Sequence, residues 1–309
     1  MSPSRAAVVF AYHQVGVRCL SVLLAQGVDV RLVVSHADDA HENVWWQSVA
    51  ELAGHAGIPV ITPDDPNCEA VVERVRACRP EIIFSFYYRH LLGAELLAIP
   101  AIGCFNMHGS LLPKYRGRAP VNWALVHGES RSGVSLHRMQ LKPDAGALLQ
   151  QQAVTVLPND TALDLMLKLV CAAETVMQRC LADLLAGDIE EQPLALHEGS
   201  YFGGRRPEDG RVDWRRPAWE IHNLIRAVAP PYPGAVMDIQ GQRLMLLGSY
   251  WRGERANCDT VRIYWEGGRC FADCIDSRRI ELTHIEFAGE AIRQQGFINH
   301  FGAQLPLLP

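Results

Sequence analysis

The chain has 309 residues, 49% hydrophobic and 20% charged, which suits an ordinary globular protein with room for one large α/β domain and a smaller one. Its formal net charge of −5 weighs against a polyanion as the main partner, so no nucleic acid is expected. No apolar run approaches the ~20 residues of a membrane span, and the first five residues lack the basic and apolar regions of a signal peptide. A cytoplasmic protein without membrane insertion is therefore expected.

In chain order, residues 6–10 read as a short buried strand and 15–25 carry apolar residues at helical spacing. Residues 28–34 read as a second strand, 44–56 as a helix, 59–61 as a brief third strand, 70–77 as a helix and 82–86 as an aromatic-rich strand. Two more strands follow at 102–107 and 133–139. This alternation predicts an α/β fold with an open, mostly parallel sheet and helices on both faces, whose ligands bind at the carboxyl ends of the strands. Residues 161–186 form the clearest helix: Thr161 and Asp164 stand at capping-box spacing, one apolar stripe runs from Leu163 to Leu184, and Gly187 is placed to end it. The stretch from 187 to about 207 turns polar and Gly-rich, as a linker does.

In the tail, Val261, Ile263 and Trp265 alternate, Gly267-Gly268 offers a hairpin turn, and Cys270, Ala272 and Cys274 alternate after it. With further strands at 244–247 and 280–287, this predicts a small antiparallel barrel. The domain boundaries expected are 1–189, a linker at 190–207, and 208–309. Nine cysteines, at 19, 68, 78, 104, 171, 180, 258, 270 and 274, are odd in number and form no Cys-x-x-Cys pair, so buried reduced thiols are expected.

The chemistry gathers at the end of the 102–107 strand. Asn106 and His108 are two apart in an extended segment and project to the same side. The strand at 133–139 runs into a turn that carries Asp144. An amide, an imidazole and a carboxylate on neighbouring loop ends can stabilise and proton-shuttle a tetrahedral intermediate of acyl transfer. Each has a plainer reading alone: Asn106 as a turn residue, His108 as a loop histidine, Asp144 as a turn former before Ala145-Gly146. Together, within the run His108-Gly109-Ser110-Leu111-Leu112-Pro113-Lys114-Tyr115-Arg116-Gly117, they point to catalysis. Other motifs are missing. The first βα turn, Ala11-Tyr12-His13-Gln14-Val15-Gly16, lacks the glycine pattern of a dinucleotide site, and no Walker loop occurs. His137-Arg138 with His127 has no carboxylate at ligand spacing, so no metal is expected.

This run resembles the folate-dependent formyltransferases, whose signature is His-x-Ser-Leu-Leu-Pro with an Asn two residues upstream. The resemblance spans nearly the whole chain, including Arg206-Pro207-Glu208-Asp209, Asp213-Trp214, 221–227 and Pro233-Gly234-Ala235. It implies a Rossmann-like domain followed by an OB-like barrel, with Asn106, His108 and Asp144 catalytic. Asn106 would donate to the oxyanion, His108 would move the proton, and Asp144 would orient the ring and favour its charged form. Ser110 need not be a nucleophile, because the substrate amine attacks directly. The implied co-substrate is 10-formyltetrahydrofolate, held near His90, Leu91 and Leu92, by Arg118, and along Gln140, Leu141, Lys142, Pro143 and Asp144.

Within the family, the likeness is strongest to the branch acting on UDP-4-amino-4-deoxy-L-arabinose in lipid A modification and polymyxin resistance. It rests on Val9-Phe10-Ala11-Tyr12-His13, on 83–91, on the unbroken 111–120 run, on Asn122-Trp123 and on 133–139. That branch carries an NAD-dependent dehydrogenase/decarboxylase half which nothing here supplies, so the chain is a stand-alone formyltransferase or an excised domain. A separate dehydrogenase/decarboxylase partner would then carry the oxidative decarboxylation. Three rivals remain at this level. A dTDP-linked aminohexose could be the acceptor through identical chemistry. Methionyl-tRNA is disfavoured by Ala11-Tyr12-His13 where its enzymes carry Gly-Thr-Pro. A non-catalytic folate- or nucleotide-binding module is disfavoured by the intact trio.

Overall fold

Continuous apolar runs become the middle of a seven-stranded sheet. Strands β1 (Ala6–Ala11), β2 (Asp29–Val34), β3 (Val60–Ile61), β4 (Ile82–Phe86) and β5 (Gly103–His108) lie in the order β3-β2-β1-β4-β5, each parallel to its neighbour. β1 and β4 are buried at every position, as strands covered on both faces must be. The structure, a computed structural model, describes residues 5–39, 42–256 and 260–308. The signal-peptide reading of residues 1–4 and the thiol of Cys258 lie outside the described residues.

The first helices follow the apolar spacing: α1 (His13–Ala25), α2 (Val49–His55), α3 (Glu69–Ala77) and the single turn α4 (Ala94–Leu97). One face of the sheet packs Val8, Phe10, Leu32, Val34 and Ile83 against Val71, Val72 and Val75 of α3. The helix expected over 44–56 begins only at Val49. Ser48 caps it by accepting the Glu51 N–H, and Trp45 and Trp46 are drawn instead into ring contacts with His13.

Beyond β6 (Arg116–Gly117) and α5 (Pro120–Val126), strands β7 (Arg131–Arg138) and β8 (Leu148–Thr155) complete the sheet. β7 runs antiparallel to β5, with Asn106 opposite His137 and His108 opposite Ser135. The carboxyl ends of the two strands therefore do not coincide, because β7 starts at the end where β5 stops. Helix α6 (Ala162–Ala186) starts with the reciprocal pair expected of its sequence. The Asp164 N–H donates to the Thr161 hydroxyl oxygen, and the Asp164 carboxylate accepts the Thr161 N–H. Gly187, at φ +80°, ends it. Strand β9 (Tyr201–Phe202), inside the stretch read as a linker, pairs with β6.

After α7 (Ala218–Val228) come β10 (Ala235–Ile239), β11 (Gln242–Tyr250), β12 (Arg262–Glu266), β13 (Arg269–Asp273), β14 (Arg279–Phe287), β15 (Glu290–Ala291), α8 (Gln294–Phe301) and β16 (Gln304–Pro306). They make a curled antiparallel half-barrel in the order β10-β11-β14-β13-β12-β16, with β15 on β14. The hairpin turn falls on Gly267-Gly268, both at positive φ, as a two-residue turn between twisted strands requires. Ile263, Ala272, Ile280 and Leu282 fill its core together with Phe297 of α8.

The chain divides into two compact units, one of residues 1–120, 132–154 and 167–202, the other of 121–131, 155–166 and 203–309. Cys19, Cys104, Cys180, Cys270 and Cys274 are buried free thiols, whereas Cys68 and Cys171 are exposed on the surface, so burial does not extend to every cysteine as expected. Among the described residues, no helix is long and apolar enough to cross a membrane.

Candidate active site

The last residues of β5 carry both polar side chains that the sequence sets apart, and both belong to the first unit. His108 is buried at 6% exposure, and its Nε2 lies 2.8 Å from the Tyr115 carbonyl oxygen. A carbonyl only accepts, so Nε2 carries the hydrogen and the basic lone pair sits on Nδ1. Nδ1 faces the Asp144 carboxylate at 3.6 Å.

Asp144 arrives by a fold-back. After Arg138 the chain turns through 139–147 and closes on itself, the Arg138 N–H donating to the Ala147 carbonyl at 2.8 Å. Asp144 adopts φ +49°, a left-handed conformation that Asp tolerates better than most residues. Two residues on, a Cβ at Gly146 would collide with the Arg138 carbonyl, so only glycine lets the turn lie this close to β7. The turn thus returns the carboxylate to the level of His108. Its second oxygen accepts the Gly117 N–H at 2.8 Å, tying the turn to the loop that follows β5.

The electrostatics are opposed and close together. Burial pushes the His108 pKa below its ordinary value, while the Asp144 carboxylate and the Tyr115 carbonyl pull it back up. Burial also works against ionisation of Asp144, yet the neighbouring His108 and the Gly117 N–H hold its carboxyl well below the usual range. The pair is therefore a neutral imidazole facing a carboxylate, poised to accept one proton at Nδ1 and to hold it beside a negative charge.

Asn106 stands two residues back along β5, its side-chain Nδ2 3.1 Å from His137 Nε2. His137 also approaches Asp144 at 3.5 Å, so the cluster has four members, one more than sequence reasoning named. The missed signal is the spacing on β7: Ser135-x-His137 alternates as Asn106-x-His108 does on the strand beside it. Ser135 holds the loop after β5, donating to the Ser110 carbonyl at 2.6 Å and accepting the Leu112 N–H at 3.0 Å. Ser110 donates its own hydroxyl to the Lys114 carbonyl at 2.6 Å, which is the bond of a loop brace.

The residues that the resemblance associates with the folate are mostly on the surface. His90, Arg118, Gln140, Leu141 and Lys142 are exposed and Pro143 is half-buried. Leu91 and Leu141 are the most exposed large apolar side chains among the described residues, at 67% and 69%. Leu92 instead packs into the core with Phe10 and Ile83, which leaves its backbone for any ligand contact. His127 stacks on Trp123, and among the described residues no group of three or more His, Cys, Asp or Glu side chains could hold a metal ion.

Comparison with known proteins meets this geometry from the other direction. The model of the Formyl transferase family matches residues 17–181, and that of the Formyl transferase C-terminal domain matches residues 205–302. The N-formyltransferase of Helicobacter canadensis, solved with folinic acid and dTDP-3-aminofucose, is similar at 22% identity, covering 90% of this chain and 98% of its own, with a TM-score of 0.74. WlaRD, a sugar 3N-formyl transferase solved with dTDP and 5-N-formyl-THF, is 21% identical over 90% of this chain and 96% of its own, TM-score 0.70. HypX from Aquifex aeolicus, solved with tetrahydrofolic acid, is 15% identical over 97% of this chain but 47% of its own, TM-score 0.65.

Proposed function

The chain belongs to the formyl transferase family, and on that premise we propose that it moves a formyl group from 10-formyltetrahydrofolate to the amine of a nucleotide-linked amino sugar. The observation that carries this reading is His108 Nδ1 facing Asp144 at 3.6 Å, with the Asn106 amide two residues back on the same strand. Formyl transfer to an amine needs a proton acceptor for the nitrogen and a donor for the oxygen, and it needs no side-chain nucleophile. The nearby Ser110 hydroxyl is turned to the Lys114 carbonyl and is not set to attack.

The co-substrate supplies the formyl group. Leu91 and Leu141, both exposed, offer apolar surface that the pterin would cover, and Arg118 offers a charge for the glutamate carboxylates at the other end of the folate. The Asn106 N–H stabilises the oxygen on which negative charge grows as the amine attacks. His108 Nδ1 takes the proton that the attacking nitrogen sheds and returns it to the nitrogen that leaves. Asp144 holds the imidazolium between those two events. Each proton acquired by His108 is therefore given back within one turnover.

The acceptor we propose is UDP-4-amino-4-deoxy-L-arabinose, acting in lipid A modification and polymyxin resistance in the cytoplasm. This is supported by the runs Val9-Phe10-Ala11-Tyr12-His13 and 83–91, and a separate dehydrogenase/decarboxylase partner would supply the oxidised sugar upstream of amination. A panel of the UDP-linked 4-aminopentose, dTDP-linked 3- and 4-aminohexoses and methionyl-tRNA, each with 10-formyltetrahydrofolate, tests it by release of tetrahydrofolate. Turnover of the UDP sugar with the highest kcat/KM is expected. Preference for a dTDP sugar would move the assignment to that acceptor, turnover of the charged tRNA alone would overturn the sugar reading, and binding without turnover would overturn catalysis.

A further inference from the structure

We propose that His137 is a positioning residue that sets which way the Asn106 amide faces, and so keeps a nitrogen, rather than an oxygen, toward the reacting centre. The proposal rests on the reading of Asn106 as the donor to the developing oxyanion. An asparagine amide turned over by 180° has almost the same shape, with a donor exchanged for an acceptor. A flipped amide would meet the growing negative charge with a lone pair. Something beside Asn106 must therefore distinguish N from O.

His137 has the chemistry to do so. Its Nδ1 lies 2.9 Å from the Arg138 carbonyl oxygen, which can only accept, so Nδ1 carries the hydrogen. The remaining nitrogen, Nε2, then presents a lone pair, and it stands 3.1 Å from Asn106 Nδ2. Only the NH₂ face of the amide can satisfy that lone pair, because the carbonyl face would set two acceptors against each other. One Asn106 hydrogen goes to His137, and the NH₂ group keeps a second hydrogen to donate to the oxyanion. The lock is dry, His137 being 2% exposed, so water does not replace it. It is also rigid, since Asn106 and His137 are directly opposed in the β5–β7 register.

The side-chain geometry supplies the test. Glutamine reaches as far as imidazole Nε2 and can place an acceptor there, whereas asparagine reaches only as far as Nδ1. His137→Asn can keep the bond to Arg138 and lose the one to Asn106; His137→Gln can keep an acceptor for Asn106. Both are measured by tetrahydrofolate release with the best acceptor of the panel, alongside Asn106→Ala and the Asn106→Ala/His137→Asn double variant. His137→Asn is expected to lower kcat about 10- to 100-fold with KM within about threefold, a part of what losing an oxyanion donor costs. His137→Gln is expected to retain at least about a third of kcat, and His137→Asn to cost nothing further once Asn106 is alanine. Full turnover by His137→Asn would overturn the proposal, and so would a His137→Gln as poor as His137→Asn. An undiminished extra loss in the double variant would reassign His137 to structure alone. Normal turnover of Asn106→Ala would instead remove the reading of Asn106, and this proposal with it.

Discussion

The two units bury histidine in different ways, and the difference separates a base from a strut. In the second unit His222 is fully buried, its Nε2 2.9 Å from the Pro158 carbonyl and its Nδ1 2.8 Å from the Ser249 hydroxyl. Both nitrogens are occupied by neutral partners, and burial lowers its pKa to about 4. Its neighbour Arg226 behaves alike, donating to Asn223 and to the Leu157 and Asp160 carbonyls. In the first unit His108 spends one nitrogen on a carbonyl and turns the other to a carboxylate. Burial by itself therefore marks nothing. A lone pair left facing a negative charge does, because only that arrangement can take up a proton at little cost.

Removing the base should break the comparison most visibly. His108→Ala is expected to lower kcat about 10²- to 10⁴-fold, the usual weight of one general acid–base group, with thermal unfolding within a few degrees of the wild type. Steady-state kinetics with a melting curve checks both. Asn106→Ala should follow at about 10²- to 10³-fold in kcat, with the binding of both substrates little changed.

Asp144→Asn sharpens the contrast through pH. His108 works as a base when neutral, so activity falls as pH drops through its pKa, which burial sets below the ordinary value near 6.5. The Asp144 charge raises that pKa, so neutralising it should move the acidic limb of the kcat profile to lower pH and reduce kcat about tenfold or more. A limb that shifts upward would contradict the arrangement.

The strut should show itself in stability alone. His222→Ala leaves the Pro158 carbonyl and the Ser249 hydroxyl without their partner, and about 1–3 kcal/mol of stability should go, while turnover of the folded protein stays within twofold. A folded pKa of about 4 against 6.5 unfolded means that the unfolded chain binds the extra proton. Its contribution is complete above about pH 6.5 and is lost as pH falls toward 4, a change of about 3 kcal/mol that denaturant melts of His222→Phe should lack. The smallest effect belongs to the surface: Leu141→Ser should raise the KM for 10-formyltetrahydrofolate about threefold to tenfold through lost apolar contact and spare kcat.

Much of this molecule is legible in local chemistry. The Thr161–Asp164 pair starts α6 and Gly267-Gly268 turns the β12–β13 hairpin, because caps and tight turns are decided by residues a few positions apart. Ser48 and Glu51 announce the true start of α2 in the same way, against an apolar pattern that runs on to residue 44. The segment after Phe287 is harder to read. Phe297 fills the half-barrel core and β16 pairs with β12, though nothing local in 288–308 names either partner.

The amino-acid sequence alone determined that Asn106 and His108 share one face of a strand and that a carboxylate waits in a later turn, since alternation in a strand has a period of two wherever that strand lies. It left open what would stand opposite. The antiparallel entry of β7, the fold-back that lifts Asp144 to His108, and the pairing of His137 with Asn106 were decided by the tertiary structure. Register between strands depends on contacts between distant segments, and no period within either strand encodes it.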